Sequence, residues 1–229
     1  MAKHTIATKS LSRFVQIFDG SFPSGAFVHS FGLEPHIVLE KVTTIDELKK
    51  FLYNLIVYQY QGLDFALVKK VYNCFVEDKL NLVIKEDNKF SCMTSFEYTK
   101  ASQDLGENYL KQINYDIKKT LVSEYFNKVK SKESDGNELV VLAAYAFELD
   151  MDMDMFLLLW CKKSILNIAM TSLKISRIKP SQIQQMLFEF DDELEELIQN
   201  TKPHINNFNP IFEEIIYQHK NLEPKMFVT

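Results

Sequence analysis

The stretch DMDMFLLLWCKKSILNIAMTS, residues 152–172, decides the fold class. Its apolar side chains fall on nearly every side of a helical projection, and a helix of that kind is normally buried at the centre of a bundle. Ser164, Asn167 and Thr171 are its polar exceptions, expected to pair with backbone or with neighbouring helices. Its approach, Met151-Asp152-Met153-Asp154-Met155, contains a residue type that suits soft metal ions. Methionine is also an ordinary core filler, and the run is read as helix-start packing. The most apolar part, Met155 to Cys161, is seven residues long before Lys162-Lys163, against the roughly 20 that cross a bilayer. No membrane span is expected.

Outward from there the chain reads as helix after helix. Ala143, Ala144 and Ala146, between Glu138 and Phe147, allow close helix packing. Before them, Lys130 to Asn137 is polar and turn-rich, the best linker candidate and equally a loop within one domain. Ile117, Leu121, Tyr125, Phe126 and Val129 have helical spacing. Thr44-Ile45-Asp46-Glu47 is a capping box, and Leu48, Phe51, Leu52, Leu55 and Ile56 then mark one helix face to about Tyr60. Gly62 is expected to break that helix before a second one reaching Phe75. Thr94-Ser95-Phe96-Glu97 repeats the box and predicts helix to about Ile113, whereas residues 80–93 stay ambiguous, Leu82-Val83-Ile84 having strand character without a partner.

The two ends follow the same pattern. Ser10 or Ser12 caps a first helix through Phe18, and Ser181-Gln182-Ile183-Gln184 gives a third box. The acids from Asp191 to Glu196 suit a solvated helix start or else a docking face for a basic partner, and Asn209-Pro210 reads as cap and first position of a last helix carrying Ile211, Phe212, Ile215, Ile216 and His219. The sum is an all-α fold, a single compact multi-helix bundle domain over residues 1–229.

Composition narrows the function. With 46% hydrophobic and 25% charged residues in 229, the chain can bury a sizeable core. A net charge of -5 argues against a general nucleic-acid binder, which needs a basic footprint. Cys74, Cys92 and Cys161 are widely spaced and never in a CxxC pair, suggesting neither a disulfide framework nor a cysteine zinc site. Met1-Ala2-Lys3-His4 lacks the apolar run of a signal peptide, so a cytoplasmic location is expected.

The densest local signal is Phe22-Pro23-Ser24-Gly25-Ala26-Phe27-Val28-His29-Ser30-Phe31-Gly32-Leu33-Glu34. Pro23 biases Phe22 towards an extended conformation, and Gly25 and Gly32 tolerate left-handed geometry or close backbone approach. Pro35 suits an early position in a short helix to about Glu40. His29 is read as a buried histidine that fixes the loop, or else as a transient nickel contact or partner-facing residue. Glu34 is read as a cap or brace rather than a base. There is no HExxH, Glu-x-x-His pair, P-loop, Gly-rich dinucleotide turn or Gly-x-Ser-x-Gly, so no catalytic residue, metal ligand or cofactor is expected. At the other end, Pro224 prevents helix, yet Met226-Phe227-Val228 is apolar where a solvated tail is polar. Either this tail folds back on the core or it docks on another protein.

The order Pro-x-Gly-x-Phe-x-His-Ser-x-Gly-Leu-Glu, met by Pro23, Gly25, Phe27, His29, Ser30, Gly32, Leu33 and Glu34, resembles the N-terminal signature of the UreF family of urease accessory proteins. The resemblance implies an all-helical, typically homodimeric, non-catalytic assembly factor that joins the accessory protein UreD (or UreH). That complex recruits the nickel-carrying GTPase UreG and acts on apo-urease, coupling GTP hydrolysis to nickel insertion. It also implies that the signature residues bind a partner or structure the loop, and that His219, Lys225, Met226 and Phe227 belong to a tail, from about residue 220, ordered by partner binding. The family carries arginine where this chain has Lys225, which keeps the charge without the planar fork. Two other classes stay open: a cofactor-free helical enzyme with a His29/Glu34 cleft, and a helical regulatory binding module.

Overall fold

In a computed structural model of the chain, residues 8–114, 117–202, 214–215 and 217–228 are described. They form α1 (Thr8–Phe18), a 3-10 turn (Ala26–Val28), α2 (Leu33–Val38), α3 (Ile45–Asn54), α4 (Phe65–Val76), α5 (Leu80–Ser91), α6 (Phe96–Ile113), α7 (Thr120–Lys130), α8 (Glu138–Glu148), α9 (Met153–Ile175), α10 (Pro180–Glu189) and α11 (Asp191–Gln199). A 3-10 turn at His219–Asn221 precedes the tail. The fold is all-α, and its core runs continuously from Phe14 to Ile198. The helix expected after Asn209-Pro210 falls mostly outside the described residues.

The centre differs from the sequence expectation. It is the short α8, buried along nearly its whole length, that α4, α6, α7 and α9 surround. Ala143, Ala144 and Ala146 let these neighbours approach closely. The longer α9 crosses the back of the bundle, carrying α1, α2, α3, α10 and α11, with Leu158, Leu159, Leu166, Met170 and Leu173 only half-buried. By length and composition α9 could cross a membrane, but its buried residues include Phe156, Trp160, Cys161, Ile165 and Ile168 of the common core. Ser164 meets the Tyr60 hydroxyl at 2.8 Å, and Thr171 donates to the Ile168 carbonyl at 2.6 Å. Met151 is buried, and Asp152 caps α9 by accepting the Met155 amide at 2.9 Å.

Other expectations shift for identifiable reasons. Gly62 does not break the chain: residues 55–64 continue α3 into α4 as a wide π-type helix. Residues 80–91 are helix, because Val83 and Phe90 face inward on either side of the buried acids Glu86 and Asp87. The Thr44 box forms as expected, with Glu47 accepting the Thr43 and Thr44 amides at 2.8 and 3.0 Å. In α6 the cap is Ser95, one residue later than the expected Thr94, and in α10 Gln182 reaches back to the Lys179 amide ahead of Pro180. The linker candidate is an internal loop fastened to α5 by Asp87.

One close approach makes a prediction. A Cβ at Gly106 would lie 1.9 Å from the Gly136 carbonyl oxygen and 3.0 Å from the Glu138 amide nitrogen. Alanine in a helix interior gains about 1 kcal/mol over glycine, but a collision with backbone this deep costs about 3 kcal/mol. Gly106→Ala is therefore expected to lose about 2 kcal/mol net, read as a lowered urea midpoint; a stabilised variant would show that α6 and the α7–α8 loop are not packed this tightly.

Candidate partner-binding site

After α1 the chain turns at Asp19, whose carboxylate accepts the Ser21 amide at 2.8 Å and the Ser21 hydroxyl. Phe22 stacks on Tyr109 of α6 with ring centroids 5.5 Å apart, and Asn108 Nδ2 donates to the Ser24 carbonyl at 3.0 Å. Gly25 (φ 82°) and Gly32 (φ 84°) adopt the left-handed conformation that side chains disfavour, so the two glycines set the loop's path. Phe31 shares that region at φ 48°, its ring held edge-on to Tyr98 at 5.7 Å. Ser30 is fully buried, and its hydroxyl accepts the Glu34 amide at 3.4 Å as α2 begins. Pro35 sits third in that helix, where a missing N–H is harmless.

A layer of buried polar groups underlies the loop. The Tyr98 hydroxyl donates to Asp64 at 2.9 Å and Gln59 Nε2 donates to the same carboxylate at 3.1 Å. Burial raises Asp64 to about 7, against these two hydrogen bonds. Lys163 Nζ donates to the Tyr109 hydroxyl at 2.7 Å and lies 3.7 Å from Glu138. Burial lowers Lys163, but Glu138 and Tyr109 outweigh it and hold the ammonium above the ordinary lysine range. The two tyrosines thus stand between buried charge and the loop's aromatic rings.

Glu34 joins the loop to the other end of the chain. Its buried carboxylate accepts from His219 Nε2 at 3.0 Å, from the Met226 amide at 2.7 Å and from the Phe227 amide at 3.2 Å. The Val228 amide then donates to the Val28 carbonyl at 2.7 Å. Phe227 is buried beneath Lys174 Nζ, 5.1 Å from its ring centroid, and Leu222 is buried beside the same tail. Between the two alternatives for the tail, this structure has it folded back on the core. Glu34 braces that tail as well as starting α2.

The expected residues therefore divide. Leu33, Glu34, His29, Ser30, His219 and Phe227 are buried, whereas Pro23, Gly25, Lys225 and Met226 are exposed; the Phe27 side chain lies outside the described residues. His29 and Glu34, expected to face a cleft in the enzyme alternative, are both buried, at 4% and 1% exposure. Burial holds His29 below the ordinary imidazole range, against the pull of Asp104. Among the described residues, no group of three or more His, Cys, Asp or Glu is placed to hold a metal ion. Sequence reading missed Asn108, Tyr109 and Lys174, none of which carries a local signal. What the arrangement offers is an outward apolar surface of Val28, Met226 and Val228, 46%, 54% and 61% exposed, set on a pinned loop and tail.

Comparison with known proteins adds an independent line. A urease accessory protein UreF from Bacillus sp. (strain TB-90) is 23% identical over 219 residues, covering 93% of this chain and 96% of its own length. The counterpart from Streptococcus salivarius is 25% identical over 143 residues, and that from Ureaplasma parvum is 28% identical over 138. In the streptococcal match the chain spans 60% of the relative's length. The family model named UreF matches residues 42–191, which excludes both the signature loop and the tail. The helical body thus carries the relationship without them, and since that match covers about two thirds of the sequence, the chain belongs to the UreF family of urease accessory proteins.

Proposed function

We propose that this chain forms a complex with a UreD/UreH accessory protein and the nickel-carrying GTPase UreG on apo-urease, and that the complex couples GTP hydrolysis to nickel insertion into the urease active site. Nickel is cargo in this scheme and the chain supplies surfaces, acting in the cytoplasm as a homodimer. The observation that carries the reading is the joined loop and tail, where Glu34 holds Met226 and Phe227 while Val28, Met226 and Val228 face outward. Exposed apolar residues on a fixed backbone are what a protein partner buries.

The test is nickel-dependent urease activity in cells producing apo-urease and the cognate UreD/UreH and UreG proteins, with and without this chain. Restored activity together with capture of the UreD/UreH protein is expected, and truncation before Pro224 is expected to abolish capture. No restoration by a folded chain among cognate partners would overturn the assignment.

A further inference from the structure

Asp64 is 1% exposed, and the groups that face it leave its carboxylate without a counter-charge. Its own wide helix supplies Tyr60 and the Gln59 amide at 3.1 Å, α6 supplies the Tyr98 hydroxyl at 2.9 Å, α8 supplies Glu138 and α9 supplies Cys161. Lys163, the buried cation of this layer, is engaged by Glu138 and Tyr109, and among the described residues no ion pair reaches Asp64. Burial keeps Tyr60, Tyr98 and Cys161 neutral. A carboxylate set among neutral donors and one like charge gives up its proton readily only where water can reach it. Tyr98 spans the distance from this carboxyl to the signature loop. Its ring packs edge-on against Phe31, and His29 lies beyond Phe31 with ring centroids 5.9 Å apart. Phe31 holds φ 48°, a costly conformation for a bulky side chain, so the loop is seated on Tyr98 against backbone strain.

We propose that Asp64, acting through Tyr98, is a proton-controlled latch on the signature loop: with the proton in place the loop stays seated, and losing it eases the loop open. The device is internal to the chain and needs no partner. Loops open at lower free energy than core helices, so lifting Phe31 from Tyr98 admits water to Asp64 at less cost than parting the buried helices around it. Between 3.8 and about 7 the closed form holds a proton that the open, hydrated form gives up. Opening is therefore rarest on the acid side of that window and commonest above it. His29 works in the other sense: burial holds it below the ordinary imidazole range, and charging it loosens the loop as pH falls.

The experiment is amide hydrogen exchange of the full-length chain from pH 5 to pH 9, with intrinsic exchange divided out. The reporters are the Val28, His29 and Leu33 amides, which donate to the Gly25, Ala26 and Ser30 carbonyls, with α8 as the reference for global unfolding. Loop protection is expected to lie at least about 100-fold below that of α8 at every pH. It is also expected to fall by up to about tenfold per pH unit below pH 7, at least about tenfold in all, and to level off above. Asp64→Asn, permanently neutral, is expected to flatten the loop's profile. Tyr98→Phe keeps the ring on Phe31 but removes a donor that favours the charged carboxylate, so the fall is expected to extend to higher pH. Wild-type loop protection that is independent of pH, or equal to that of α8, overturns the latch. An unchanged slope in Asp64→Asn overturns the part of Asp64, and an unmoved profile in Tyr98→Phe overturns the route through Tyr98.

Discussion

Asp87→Ala is expected to lose about 4 kcal/mol of folding stability and to release the loop between α7 and α8. Asp87 is fully buried and accepts from Tyr125 Oη at 3.0 Å, Ser134 Oγ at 2.6 Å, the Gly136 and Asn137 amides at 2.8 and 3.1 Å, and Asn137 Nδ2 at 2.8 Å. Two effects oppose each other in the substitution. Burial pushes the Asp87 carboxyl above the ordinary range, so removing it relieves a desolvation cost. Against that, four donors lose their acceptor, each costing about 1–3 kcal/mol unless water reaches it, while Asn137 Nδ2 keeps the Asp87 carbonyl and the Ser91 hydroxyl. The donors win because they come from α7 and the loop alike and cannot all turn to solvent. Asp87→Asn keeps the shape and one accepting oxygen, and is expected to fall between alanine and wild type in urea unfolding. A loss below about 1 kcal/mol in alanine would show that the loop is held by its apolar neighbours instead.

The second large effect is a pH dependence centred on Asp64. Its carboxyl is raised from 3.8 to about 7, chiefly by burial, with Glu138 adding to the rise and Tyr98 and Gln59 opposing it. Between those two values the folded chain keeps a proton that the unfolded chain has released. Stability therefore falls as pH rises through this window and levels off above it. The slope is about 1.4 kcal/mol per pH unit, or about 4 kcal/mol in all. Other groups titrate in the same range, so the informative quantity is wild type minus Asp64→Asn, the asparagine standing for the permanently neutral acid. That difference is expected to move against the wild type by about 4 kcal/mol between pH 4 and pH 8. A pH-independent difference would place the Asp64 carboxylate in a far better solvated site.

Much of the helical layout is legible because its signals are local. The Thr44 box forms where its four residues predict it, and the Gly25 and Gly32 positions require the backbone that glycine allows. Reading failed where a residue's partner is distant. Residues 80–91 hid their helical stripe because Glu86 and Asp87 occupy buried positions on it, tolerable only because Lys70 and the residue 134–137 loop arrive to meet them. The break expected at Gly62 did not occur because Leu63 and Asp64 remain in a continuous helix whose widened turn faces the core. The centre passed from α9 to α8 for a related reason: apolar composition marks a helix for burial, but enclosure depends on whether neighbours cover every side, and α8 is covered along nearly its whole length while α9 keeps a half-buried stripe.

By itself the sequence determined the all-helical class, the loop conformation and the apolar character of the tail, since these follow from periodicity, φ preference and composition within a few residues. Only the tertiary structure decided that the tail lies on the loop. The bonds that hold it there join Glu34 to residues 185, 192 and 193 positions away, and no local propensity records a pairing at that range.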